Sequence, residues 1–196
     1  MKKILTAIQL LLIFSVSFFI TLILATSSQS HPHLSVNSKV GVNNIGDIRI
    51  GMTKEEAEIV SGVKLLADPE QGFPSEYCYY LYPGNNLKIA FMMDRNKIVR
   101  ADINDERITT ISGAKIGDTE EEIIATYPNV EIAQGFYSGK YFIHRPQDSA
   151  YQEYLLLFEA EPLSYDENNQ PEGIHKVTYF RIGYRHEVEH LVEGCS

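Results

Sequence analysis

Tryptophan is absent from this 196-residue sequence, and cysteine occurs only twice. With no C-x-x-C and no second cysteine pair, the chain carries neither a dithiol redox motif nor a thiolate zinc site. G-x-S-x-G and S-x-x-K are missing, so nucleophilic hydrolysis has no visible machinery. G-x-G-x-x-G and the phosphate loop are missing too, which leaves nucleotide chemistry unsupported. No cofactor is expected. Positive charge is also scarce: 17 Lys and Arg stand against 26 Asp and Glu, for a formal charge of −9. A chain this acidic has no electrostatic reason to seek nucleic acid or an anionic lipid surface.

The composition that remains, 44% hydrophobic and 22% charged, is that of a globular protein. The start of the chain reads as an address. Met1-Lys2-Lys3 is a short basic opening, Ile4 to Ala25 is an apolar run, and Ala25-Thr26-Ser27 supplies small residues at a cleavage site. This is the layout of a secretory signal peptide. The run is also long enough to span a bilayer of roughly 30 Å, so residues 1–27 are read as a signal peptide or an uncleaved anchor built on residues 4–25. Either way the remainder lies outside the cytoplasm, periplasmic or secreted, and touches a membrane only through that segment. In an exported chain the two cysteines, Cys78 and Cys195, are most simply one disulfide, the alternative being two buried thiols.

Residues 28–44 are polar and read as a flexible linker. Beyond them a pattern occurs twice. Aligning Gly51 with Gly117 places Thr53 on Thr119 and Glu56 on Glu122, a T-x-x-E capping box in each copy. Ala57, Val60 and Val63 give the first helix an apolar side. Ile123, Ile124 and Tyr127 do so for the second, which Pro128 stops. Strand-like segments follow each helix: 77–82, 87–94 and 97–104 after the first, then 140–145, 153–161 and 174–184 after the second. Leu87, Ile89, Phe91 and Met93 fall on one face, and Val99, Ala101 and Ile103 point the same way. A longer loop, Pro162 to Gly173, separates the last two strand-like segments; within it Asp166 to Glu172 alternates oxygen side chains, but Pro171 stands where a calcium loop needs glycine, so it reads as a polar hairpin. The expected fold is therefore α+β, two tandem helix-plus-antiparallel-meander units over 45–111 and 112–196.

Two tandem units, each opened by G-M/D-T-x-x-E in an exported chain, resemble the β-lactamase-inhibitor-protein-like and BamE/SmpA-like architecture. The likeness is strongest over residues 46–66 and 113–131. The chain also resembles a group of exported bacterial proteins with a cysteine on the first strand and a closing V-E-G-C, here Val192 to Cys195. In the inhibitor-like architecture the sheets form a surface that binds other proteins.

Two sets of residues are candidates for function. His186-Glu187-Val188-Glu189-His190 fits H-E-x-x-H, the pattern of a zinc peptidase in which helical histidines four apart ligate the metal. Here Val188, His190 and Val192 alternate as in a strand, which would set His186 and His190 about 13 Å apart. The second set follows from twelve tyrosines, four of them at 77, 79, 80 and 82. Alternation puts Tyr80 and Tyr82 on the face of Cys78, where Lys88, Met92, Arg100 and Asp102 join them, with Tyr179 and Arg181 from the second unit. Tyrosine offers rigid area with a polar tip, which suits recognition surfaces. The expected function is a non-enzymatic envelope module that binds an envelope or extracellular protein through this sheet face. Glycan or small-molecule binding on the same face is the alternative, and a zinc peptidase at His186, Glu187 and His190 is a further one.

Overall fold

Both capping boxes form. The computed structural model describes residues 33–67, 77–135, 139–168, 170–189 and Cys195. Helix α1 (Lys54–Ser61) starts at Thr53, whose Oγ1 accepts from the Glu56 amide at 3.2 Å while Glu56 Oε2 accepts from the Thr53 amide at 2.8 Å. Helix α2 (Glu120–Thr126) repeats this at Thr119 and Glu122, at 3.3 and 2.8 Å. Both helices are short, and they bury few side chains: Ala57 and Ser61 from α1, Ile123 from α2.

The strands therefore supply most of the core. An eight-stranded sheet runs in the order β4 (Leu65–Ala67), β5 (Cys78–Pro83), β6 (Ile89–Asp94), β7 (Lys97–Ile103), β12 (Pro171–Tyr184), β11 (Tyr154–Tyr165), β10 (Lys140–His144) and β9 (Glu131–Gln134), antiparallel throughout. A smaller four-stranded sheet is built from β3 (Ile48–Arg49), β2 (Asn44–Ile45), β1 (Lys39–Val40) and β8 (Thr109–Thr110), with β1 and β8 parallel. The described residues belong to the compact unit Pro32–Ser196.

This corrects the expected fold class. The protein is predominantly β, not an α+β pair of helix-plus-meander units, because the helices span only two turns or so and the strands of both halves close into one sheet through β7 and β12. At that seam Gly183 faces Arg100, and a Cβ there would lie 2.4 Å from the Val99 carbonyl oxygen and 2.8 Å from Arg100 Cα. Only glycine lets the two backbones approach this closely.

One face of the large sheet carries the main core. Leu81, Ile89, Phe91, Met93, Phe158 and Phe180 pack there with residues of the small sheet, Ala57 of α1 and Ile123 of α2. A β-bulge between Met92 and Met93 shifts the register, so that Ile98 joins this core in place of the expected Val99. Residues 33–45 also differ from the expected linker. Leu34 and Val40 are buried, and Asn85 Nδ2 donates to the Leu34 carbonyl at 2.7 Å. The polar composition of this stretch hid two apolar anchors at the edge of the core.

Cys78 and Cys195 form the disulfide. Among the described residues no helix is long and apolar enough to cross a membrane. The signal or anchor segment lies outside the described residues.

Candidate functional site

The opposite face of the large sheet gathers the residues that the alternation singled out. Tyr80 pairs with Met92, Met92 with Arg100, and Asp102 with Arg181, so that four strands present their outward side chains together. Tyr82 follows on β5, and Lys88 stands exposed just before β6, its amide donating to Asp105 Oδ2 at 3.2 Å.

The centre of this face is covered, while Tyr80, Tyr82, Asp102 and Tyr179 stay half-buried and Lys88 exposed. Helix α3 (Arg185–Glu189) turns back over it, and Val188 fills a second apolar cluster with Tyr141, Ile143, Leu155 and Leu157. Arg100, Arg181 and Met92 are only 4%, 5% and 6% exposed. The Arg100 guanidinium reaches four ways: Nε and Nη2 donate to Asp102 Oδ2 at 3.1 and 3.0 Å, Nη2 to Tyr80 Oη at 2.6 Å, and Nη1 to the Glu187 carbonyl at 2.9 Å. Arg181 lies over the Tyr179 ring at 5.0 Å and donates to the Tyr179 hydroxyl, which donates in turn to Glu159. Arg181 Nε stands 3.7 Å from Asp102 Oδ1, too far for a hydrogen bond, and these two atoms are left without partners.

Two guanidinium groups are thus balanced by two carboxylates, Asp102 and Glu159. Burial pushes the Tyr80 and Tyr179 phenols up, so both stay protonated at neutral pH. The arrangement offers no activated nucleophile. What it does is clamp α3 to the sheet by a charge-assisted bond to a helix carbonyl.

The H-E-x-x-H segment differs from the expected strand. Residues 185–189 are helical because Val188 turns inward to the apolar cluster and Arg100 holds Glu187. The separation worked from strand geometry does not apply, and His190 lies outside the described residues. Among the described residues no group of three or more His, Cys, Asp or Glu side chains is placed to hold a metal ion.

Two features were not anticipated. The expected hairpin over 162–173 is longer than a loop: strand runs through 165 and resumes at 171, which makes it the outer part of a projecting arm. Strands β11 and β12 continue beyond their pairing with β10 and β7; residues 161–165 pair with 171–176, and at the root Lys176 also bridges Thr119. Asp166 closes its turn by accepting from the amides of Asn168 and Gln170 at 2.9 and 2.7 Å. Leu163, Tyr165 and Ile174 on this arm are 61%, 46% and 51% exposed. The spacing of Leu163 and Tyr165 around Ser164 is the one sequence signal that could have found it. The second feature is a cleft between the β1–β2 hairpin, the turn at Ile111 and Ser112, and Tyr127, His144 and Tyr151. It joins segments far apart in the chain, and no local pattern marks it.

No protein-family model and no curated protein matches this chain. Among solved structures, the crystal structure of the uncharacterized protein yfeY from Escherichia coli is similar, with a TM-score of 0.46 and 14% identity over 74% of this chain and 99% of that chain.

Proposed function

We propose that this protein is an exported, non-enzymatic binding module of the cell envelope, and that it engages a partner protein through the β11–β12 arm rather than through the covered sheet face. The observation that carries this reading is the arm itself. Leu163 and Tyr165 lie two apart on β11, Leu163 stands across from Gly173 and Ile174, and among the described residues no third strand pairs with 162–165 or 171–175. Single exposed apolar residues are ordinary, but three on one projecting hairpin make a surface suited to contact with a partner. Both edges of the hairpin also leave backbone groups available for strand addition. Glu161, Glu167 and Glu172 are exposed around the apolar residues, against Lys176 at the root. The complementary partner is a protein with an apolar cleft rimmed by Lys or Arg. The apolar leader and the Cys78–Cys195 disulfide support the envelope location.

The test places a photo-cross-linking residue at Leu163 in the full chain and compares it with the same probe in an Ile174→Glu, Tyr165→Glu background. Because these side chains are exposed, the variants should unfold at the wild-type temperature. A saturable protein adduct lost in the variant supports the reading. An adduct of equal yield in the variant, or none, counts against it.

A further inference from the structure

The cleft at the small sheet goes beyond the arm, because its lining describes a different kind of ligand. Its volume is about 270 Å³, and apart from one imidazole it is lined by no ionisable acid or base other than tyrosine. It falls below the size of a pocket for a drug-sized molecule and suits a single ring. The absence of charge in the lining selects a neutral ligand.

The polar groups narrow the class further. His144 packs against Tyr127 with ring centroids 4.7 Å apart and the planes tilted by 46°, and among the described residues no hydrogen bond to either imidazole nitrogen is found. Burial lowers its pKa, so at neutral pH the ring keeps one N–H donor and one bare acceptor nitrogen. The Tyr127 hydroxyl is committed, donating to Thr110 Oγ1 at 2.8 Å, so Tyr127 offers the cleft its ring. Asn44 Nδ2 is committed to the Gly46 carbonyl at 2.9 Å, which leaves Asn44 Oδ1 to accept. Ser112 adds a hydroxyl. Tyr151 and Ile111, 39% and 69% exposed, stand at the mouth as apolar lips.

A neutral imidazole, an amide oxygen and a serine hydroxyl ask for groups that both give and accept hydrogen bonds. A hydroxyl does both; a carbonyl or an ammonium does only one. A ring with a single hydroxyl, such as a phenol side chain, would leave most of the inner donors and acceptors unmet. We infer that the cleft lined by Asn44, Ser112, Tyr127, His144 and Tyr151 is a binding site for a neutral pyranose unit, its hydroxyls on the imidazole and amide and one face against the aromatic rings.

The structure also supplies a blocking substitution. A Cβ at Gly41 would fall 2.4 Å from Asn44 Oδ1 and 3.2 Å from Ile111 Cδ1, within the cleft, and Gly41 has no positive φ to strain an alanine. The experiment is saturation-transfer NMR on the full-length protein in a detergent without a sugar headgroup, with methyl β-glucopyranoside, N-acetylglucosamine and 4-ethylphenol as probes. The expected result is saturable transfer to a glycoside at millimolar concentration, with the dissociation constant raised at least about tenfold in Gly41→Ala and in Tyr151→Ala. Tyr151→Ala truncates a side chain at the mouth, so it decides the matter should Gly41→Ala fail to fold. The inference is overturned if neither glycoside shows saturable transfer, if the folded variants bind as the wild type does, or if 4-ethylphenol alone binds. Loss of the arm's partner leaves this result untouched, and the reverse also holds.

Discussion

Removing the disulfide tests whether the Cys78–Cys195 bridge restrains the whole fold or only pins a tail. The two cysteines are 117 residues apart, and the loop they close contains β5 through β12 as well as all three helices except α1. In the chain-entropy account, closing a loop of that length in the unfolded state is worth about 4.9 kcal/mol. The contacts of α3 itself are fewer: Val188 in the apolar cluster, the Arg100 bond to the Glu187 carbonyl, and a half-exposed pair between Arg145 and Glu189. If the bridge acted only through α3, its loss would cost little more than local fraying. If it restrains the unfolded chain, Cys78→Ser with Cys195→Ser should lower the unfolding free energy by about 3–5 kcal/mol. For a domain of this size that corresponds to a fall in Tm of about 6–20 °C. The m-value should rise, because an untethered unfolded chain exposes more surface. Urea unfolding followed by far-UV circular dichroism, with and without a dithiol reductant, reads both quantities. A loss below about 1 kcal/mol with an unchanged m-value would refute the argument.

Asp102→Ala removes the carboxylate that accepts from buried Arg100 and lies 3.7 Å from buried Arg181, so it should destabilise by about 3–5 kcal/mol in chemical unfolding, whereas exchanging a surface carboxylate such as Glu167 should stay within about 0.5 kcal/mol. Thr119→Ala deletes one half of a capping box and should cost about 1 kcal/mol, with Thr119→Ser restoring most of it in the same assay. Asp105 accepts from Arg107 Nε and Nη2 at 2.8 and 2.7 Å and from the amides of Lys88 and Arg107, which holds its carboxyl well below the usual range. Its folded pKa is depressed, so its stabilisation is present above the unfolded value near about 3.9 and is lost as pH falls below it. Urea midpoints taken from neutral pH down to about pH 3 should fall less steeply in Asp105→Asn than in the wild type.

The sequence made local structure legible where one residue's chemistry decides it. Thr53 with Glu56 and Thr119 with Glu122 marked both helix starts, because a cap is a contact between residues three apart. Alternation likewise grouped Tyr80, Met92, Arg100, Asp102, Tyr179 and Arg181 on a common face, since strand geometry fixes which side each points to. It did not show that the centre of the face is covered. Val188 fits a strand pattern with His190 and Val192 as well as it fits an inward-facing helical turn, and only the apolar gap beside Tyr141 and Leu155 chooses between them. Leu34 and Val40 were obscured by polar neighbours. The cleft around His144 joins residues 40–44, 111–112, 127, 144 and 151, whose meeting no local pattern encodes. The fold class was not legible because a capping box marks where a helix starts but not how short it is, and both helices end within about two turns.

The strand order has a consequence for how the chain folds. In the large sheet every neighbouring pair is consecutive in sequence except β7 with β12. Hairpin ladders close in microseconds, so each side of the sheet can assemble on its own. The seam must wait until the segment between Ile103 and Phe180 has been gathered, and closing so long a loop is where the entropic cost concentrates. The rate of folding is then set at four residue pairs, with Gly183 among them. A side chain introduced at Gly183 would slow the folding limb of a chevron plot, while one on the distant edge strand β9 would mainly quicken unfolding.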